Sequence, residues 1–297
     1  MRTLRLLRLV SIFCVACLSA SAQQAASSPP ARPALPQPNA QAAPLIQQSL
    51  AALTGGSPIT DVTMTGAYTI TDASGTRNGT ITMIATATGQ GQLTITLPSG
   101  TYSEVRSISR GSAIMTLTGS DGLPHTITTQ AAVSPNPGWF CPALVLASAS
   151  SSDYLSSYVG QETLNGEGVQ HVALWWLPGT SSGSSATSVA QAWQQATQHD
   201  IYLDASSFLP VAMNYTLQPY NPNSPNEPLV PYRGNSVSRL AQVQFSNYEA
   251  VQGHPVALHI HSTMSISPIL TLVTDIQLSS VAFNTGVTIN VPSLTAN

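Results

Sequence analysis

Three histidines lie close together in the last third of the chain: His254, His259 and His261. On a β-strand, residues two apart share a face, so His259 and His261 could present two imidazoles to one metal ion. The same spacing fits two solvent-facing histidines on the polar side of a sheet. No Asp, Glu or Cys stands beside them in sequence to complete a ligand set, so no metal and no other cofactor is expected. Gly179-Thr180-Ser181-Ser182-Gly183 matches the G-x-S-x-G pattern of a nucleophile elbow. That elbow needs a strand before the serine and a helix directly after it; here the match falls in a Ser/Gly tract, where composition alone produces it. Cys141 has no base identifiable beside it and reads as a small buried hydrophobe. Asp204 is placed to cap a turn. Trp175 and Trp176 put one indole on each face of a strand, one in the core and the other at a pocket mouth or capping the sheet. No phosphate-cradling loop, metalloprotease helix or dinucleotide fingerprint is present. These residues point away from an enzyme.

The elements that carry them are mostly strands. From 201 to 294 apolar residues alternate with polar ones, the mark of strands with one buried and one wet face. Leu209, Val211, Met213, Tyr215 and Leu217 share one face; so do Ala241, Val243 and Phe245; so do Val256, Leu258, Ile260, Met264 and Ile266; so do Leu270, Leu272, Ile276 and Leu278. A first meander, Thr-rich, runs from Val62 to Thr118, with Val62, Met64, Tyr68 and Ile70 on one face of its first strand. Glu104 and Arg106 share a face there and read as an exposed pair of little energetic value. Asn165-Gly166 predicts a hairpin. Three short helices are predicted: one opened by Pro44 and closed by Gly55, with Ile46, Leu50 and Leu53 in a stripe; one opened by Pro142; and one carrying Val189, Trp193 and Ala196. A sheet with a single greasy side must be covered by something, and these helices are too few to seal it fully.

The ends and the composition bound the setting. Arg2, Arg5 and Arg8 precede a short apolar stretch and Ala20-Ser21-Ala22, so residues 1–22 read as a cleaved secretory signal. Lipidation at Cys17 is the alternative. Residues 23–43, rich in Pro, Ala and Gln, read as a disordered tether, and residues 44–297 as one domain. No later segment is long and apolar enough to span a bilayer as a helix. Cleavage leaves Cys141 as the only thiol, so no internal disulfide is possible. The chain has nine basic residues, all Arg; three leave with the signal, and six against twelve acidic residues give a net charge of −6. Such a surface is unsuited to a phosphate backbone, so nucleic acid is not an expected partner.

Tyr202-Leu203-Asp204 followed by Phe208-Leu209-Pro210, then Val243-Gln244-Phe245-Ser246-Asn247-Tyr248 with Val251 and Gly253, then Phe283 with Val287, Ile289, Val291 and Pro292, form a set of strand entries and turns. This set resembles the LolA-like periplasmic proteins, the outer-membrane lipoprotein carriers and sorting-protein relatives. The likeness is strongest over 201–292 and weaker over 45–108. It implies a mainly β fold, an incomplete, strongly curled antiparallel β-barrel with short helices on its concave face. It also implies a concave apolar face that receives acyl chains. The expected function is an exported, periplasmic or secreted binding protein holding a lipid or lipoprotein acyl chains. The expected lining is Leu50 from the helix; Val62, Met64 and Tyr68 from the first meander; Val211, Met213 and Tyr215; Val243 and Phe245; and Leu258, Ile260 and Leu272. The alternative is a structural or sensory envelope module whose core is filled by its own helices and which binds a protein partner.

Overall fold

The computed structural model describes residues 35–109, 112–119, 122–127, 140–149, 153–177, 186–217, 239–267 and 270–291. The expected signal at 1–22, most of the expected tether, the G-x-S-x-G match at 179–183 and the Pro-rich loop at 220–234 lie outside the described residues. In chain order the elements are α1 (Ala42–Thr54), β1 (Asp61–Asp72), β2 (Gly75–Thr86), β3 (Gln90–Leu97), β4 (Gly100–Ser109), β5 (Ser112–Thr118), β6 (Pro124–Ile127), α2 (Pro142–Ser148), β7 (Tyr154–Leu164), β8 (Glu167–Trp176), α3 (Ala186–Thr197), β9 (His199–Asp204), β10 (Pro210–Leu217), β11 (Arg239–Val251), β12 (His254–Ser267) and β13 (Leu270–Phe283).

The strands form one sheet in the order β6-β5-β4-β3-β2-β1-β13-β12-β11-β10-β9-β8-β7. Every neighbouring pair is consecutive in the chain except one: β1 lies antiparallel to β13, from Val62 opposite Phe283 to Thr71 opposite Val273. That pairing joins the two meanders. The sheet curls strongly. β4 and β10 are seven inter-strand steps apart, which on a flat sheet would be roughly 30 Å or more at about 4.8 Å per step. Yet Arg106 and Glu104 on β4 are near enough for their charges to act on the buried Tyr215 hydroxyl of β10.

Local chemistry explains the elements. α1 ends where Gly55 adopts φ 57° and its N–H reaches the Ala51 carbonyl at 2.9 Å. α2 begins with Pro142, whose missing N–H is harmless in a first turn. Asn165 and Gly166, both at positive φ (53° and 91°), make the tight β7–β8 turn. On the convex face Thr65, Thr82 and Thr94 stand in register across β1, β2 and β3, and β-branched hydroxyl residues suit a pleated, wet surface. On the concave face Val62, Met64, Ile81 and Met83 are buried together with Ile46 and Leu53 of α1 and Leu144 and Leu146 of α2.

Two expectations need correction here. The end of the expected tether is tied to the sheet: Asn39 donates its N–H to the Ser156 carbonyl, and its side chain donates to Ser157 Oγ (2.8 Å) and accepts from the Tyr158 N–H (3.0 Å). One short amide thereby imitates a neighbouring strand along β7, an edge whose backbone groups would otherwise await a partner. α1 also starts at Ala42, before Pro44. The second correction concerns Glu104 and Arg106, which are not exposed; they are buried on the concave face.

Two glycines permit the close strand approach that the curl requires. A Cβ on Gly66, at the β1 bulge, would stand 2.2 Å from the Gln277 carbonyl oxygen, and one on Gly79 would stand 2.0 Å from that of Thr96. Backbone cannot yield as a flexible side chain can. Gly66→Ala or Gly79→Ala is expected to destabilise by about 3 kcal/mol or more. Gly168→Ala, whose added carbon would meet only the Gln161 side chain at 3.6 Å and Ala205 Cβ at 3.9 Å, should change stability by less than about 1 kcal/mol. Urea denaturation midpoints of the three variants check the ranking.

Candidate functional site

The concave face is an enclosed surface, and the expected lining residues distribute unevenly over it. Val62, Met64, Tyr68, Met213, Tyr215, Val243, Phe245 and Ile260 are buried in one cluster. Leu50 and Leu258 are half-buried and pack against that cluster. Val211 and Leu272 are half-buried and stand outside it. The physical reason for Val211 is a register shift between Pro210 and Ala212, which takes it out of the alternation that carries Met213 and Tyr215 inward. Leu272 pairs with the half-buried Met264, away from the cover of α1 and α2.

A pocket opens at one end of this face, between the end of α1, the start of α2 and the strand ends of β1, β11, β12 and β13. Its interior is small, about 20 Å³, and widens to an open mouth. Leu53, Ile59, Met64, Phe140, Pro142, Ala143, Pro255, Val256, Ala257 and Phe283 form apolar walls, and Cys141 and Tyr248 add the polar side-chain atoms. Only Met64 among these belongs to the expected lining. Leu53 and Val256 stand in the apolar stripes read from sequence, though outside the expected lining; most of the others come from the start of α2, the segment before it and turn margins, where period-2 alternation stops. Tyr248 is fixed by donating its hydroxyl to the Pro210 carbonyl at 2.6 Å. Burial pushes the Cys141 thiol up to about 11, which keeps it protonated near neutral pH and unsuited to nucleophilic attack.

A polar group interrupts the apolar face at β4. Arg106 Nε donates to Glu104 Oε1, and the Tyr102 hydroxyl donates to Glu104 Oε2 at 3.3 Å. Burial raises the hydroxyl of Tyr68 to about 12, and raises those of Tyr102 and Tyr215 further.

The histidines fall on two sides. His254 is buried and meets the Phe283 ring edge-on at 5.0 Å, so it does not join the pair downstream. His259 Nε2 and His261 Nδ1 both approach Asp275 Oδ1, at 3.2 and 2.9 Å, and Ser246 Oγ lies 3.0 Å from His259 Nδ1. Asp275 was invisible as a partner in sequence because β13 brings it across. Among the described residues no group of three or more His, Cys, Asp or Glu side chains is arranged to hold a metal ion. Ser246, His259 and Asp275 form a hydrogen-bonded chain, but they lie on an open strand surface whose backbone N–H groups are committed to the sheet, so nothing there would stabilise an oxyanion. A second arrangement holds His171 between Glu162 (2.6 Å) and Asp200 (3.0 Å) and stacks it on Tyr202 at 4.5 Å. Trp175 and Trp176 are both buried, Trp176 edge-on to Trp193 of α3 at 5.1 Å. Asp204 caps its turn as expected: one carboxylate oxygen accepts from the N–H and hydroxyl of both Ser206 and Ser207. The backbone bond from Ser207, followed by the seryl hydroxyls, lowers the Asp204 carboxyl to about 2.

No protein-family model matches the sequence, and no curated protein is similar to it. Solved structures do share the fold. A domain described as an outer membrane lipoprotein-sorting protein from Vibrio parahaemolyticus superposes with a TM-score of 0.50 at 12% identity, over 84% of this chain and 94% of that one. A DUF1329 family protein from Desulfovibrio piger gives 0.50 at 10% identity, over 83% and 95%. A LolA superfamily protein from Nitrosomonas europaea gives 0.45 at 12% identity, over 81% and 92%. The chain therefore has the LolA-like fold of the lipoprotein-sorting proteins: an open, curled antiparallel sheet with helices on its concave face. Among the described residues no helix is long and apolar enough to cross a membrane.

Half-buried His171 on β8 and buried His199 on β9 titrate in opposite senses. Burial lowers His171, but its bonds to Asp200 and Glu162 outweigh this and raise it above 6.5. Its contribution to stability is thus full below pH 6.5 and lost as pH rises through the folded value. Burial lowers His199 below 6.5, so its contribution is lost as pH falls from 6.5 towards the folded value. The stability difference between the unchanged chain and His171→Gln should therefore shrink between about pH 6 and about pH 9. Urea titrations at both pH values check it, and a difference that grows with pH contradicts the assignment.

Proposed function

We propose that this chain is a periplasmic or secreted binding protein that holds an apolar ligand, a lipid or the acyl chains of a lipoprotein, between the concave sheet face and the α1–α2 pair. The pocket between the two helices and the sheet carries the reading. Its walls are mostly apolar and it opens to the outside; its interior is small, about 20 Å³, and a ligand must widen it. The fold supports the same reading, because an open curled sheet leaves a concave face that only short helices cover. The pocket is the entry point; occupation by a longer chain requires α1 and α2 to lift from Val62, Met64 and Val256. Binding by enclosure needs no catalytic group, and we assign none.

A second reading has its own support. Ile46, Leu53, Ala143, Leu144, Val145 and Leu146 already fill the concave face with the chain's own side chains. A core closed in this way suits an envelope module that binds a protein partner instead of a lipid.

The two separate on a fatty-acid binding assay. The full chain is expected to bind a fluorescent fatty acid and to carry copurified lipid in native mass spectrometry. Ala143→Leu and Ala257→Leu, which push larger side chains into the pocket, should weaken binding about tenfold or more while leaving circular dichroism unchanged. Absence of binding by the unchanged chain, with a stable partner recovered from envelope extracts, would instead support the second reading.

A further inference from the structure

β4 sets a charged pair into an otherwise apolar concave face. Glu104 and Arg106 are 6% and 3% exposed, and the guanidinium donates to the carboxylate. Stability does not explain such a pair, because well-packed apolar residues in its place are often neutral or better. Its surroundings give it another use. Arg106 stands opposite Gly91 on β3, Gly91 opposite Ala85 on β2, Ala85 opposite Val62 on β1, and Val62 opposite Phe283 on β13. All four of these neighbours are buried, and the two nearest Arg106 have no side chain or a single methyl. This makes a lane of residues, small near the guanidinium, that leads to Phe283, a wall of the apolar pocket; the packed core covers the lane, and a ligand there takes the place of the covering side chains. From Arg106 to Val62 it covers three inter-strand steps, about 14 Å at about 4.8 Å each, close to the length of a medium-chain acyl group.

We infer that Arg106 is the head-group site of the protein: it receives the carboxylate of a single-chain fatty acid whose tail follows the Gly91–Ala85–Val62 lane into the pocket. Glu104 is the internal stand-in, a carboxylate that occupies the guanidinium until the ligand's carboxylate replaces it. Arginine suits this exchange, because its planar fork matches a carboxylate and stays charged when buried. Tyr102, already donating to Glu104, keeps that side chain partnered after the exchange. The inference rests on the apolar-ligand reading and adds to it the chemical class of the ligand and the direction in which it lies.

Dodecanoate and dodecanol, equal in chain length and different in head group, test it on the full-length protein by titration calorimetry. The unchanged chain should bind dodecanoate about tenfold or more tighter than dodecanol, as expected for one charge-assisted contact. Glu104→Gln should tighten dodecanoate binding, because the competing charge is gone. Arg106→Met alone strands a buried carboxylate and can fail to fold, so the double variant Glu104→Met with Arg106→Met is the decisive one. It should bind both ligands alike, with dodecanol affinity retained. Equal binding of the two ligands by the unchanged chain overturns the head-group site and leaves the apolar-ligand reading standing, as does a dodecanoate preference that survives in the double variant. Binding of neither ligand overturns both.

Discussion

The antiparallel pairing of β1 with β13 is the contact on which the rest of the molecule depends. Without it there are two separate meanders, each with one greasy face and nothing large enough to cover it. With it, the first and last long strands become neighbours, and their apolar faces merge into one concave surface. The pairing is long, from Val62 to Thr71, and it contains the bulge at Thr65 and Gly66. Bulges sharpen local twist, and Gly66 lets the backbones approach as the curl demands. The chain locks the seam at its end: Asp61 accepts from the Thr285 and Gly286 N–H groups, and Asn284 accepts from the Thr60 N–H.

From that constraint follows a division of labour between the two faces. The convex face is wet and dominated by threonine hydroxyls, with histidine–carboxylate contacts that adjust charge but enclose nothing. The concave face is apolar, partly filled by α1 and α2, open at one end and charged at β4. Among the described residues the large buried cluster lies on the second face. The Ser246–His259–Asp275 chain shows the consequence: the residue types of a relay, without the enclosure that would make them act.

The helices, the turn residues and most of the apolar alternation were legible in sequence because each rests on short-range physics. Pro142, Gly55, Asn165-Gly166 and the Asp204 cap act over a few residues and were read as such. The likeness to LolA-like proteins worked for the same reason, since its motifs are strand entries and turns. Tyr248 and Pro210 belong to two of those motifs, and the hydrogen bond between them shows what the punctuation is for. Legibility failed where one residue upsets the period or where the partner is distant. Val211 alternates correctly on paper and is displaced by a bulge. Asn39 sits in a stretch with a tether's composition, yet its side chain bonds Ser157 and Tyr158 on the edge strand β7, more than a hundred residues away.

By itself, the sequence determined that this protein is a one-sided β-sheet with short helices, because alternation, capping and turn chemistry are local and each leaves a periodic or positional mark. Only the tertiary structure decided which residues share an enclosure. Strand order placed Arg106 in line with Val62 and Phe283, curl carried it towards Tyr215, and the helix ends made a pocket from residues with no common period. Those relations arise from pairings across long stretches of chain, and no local propensity records them.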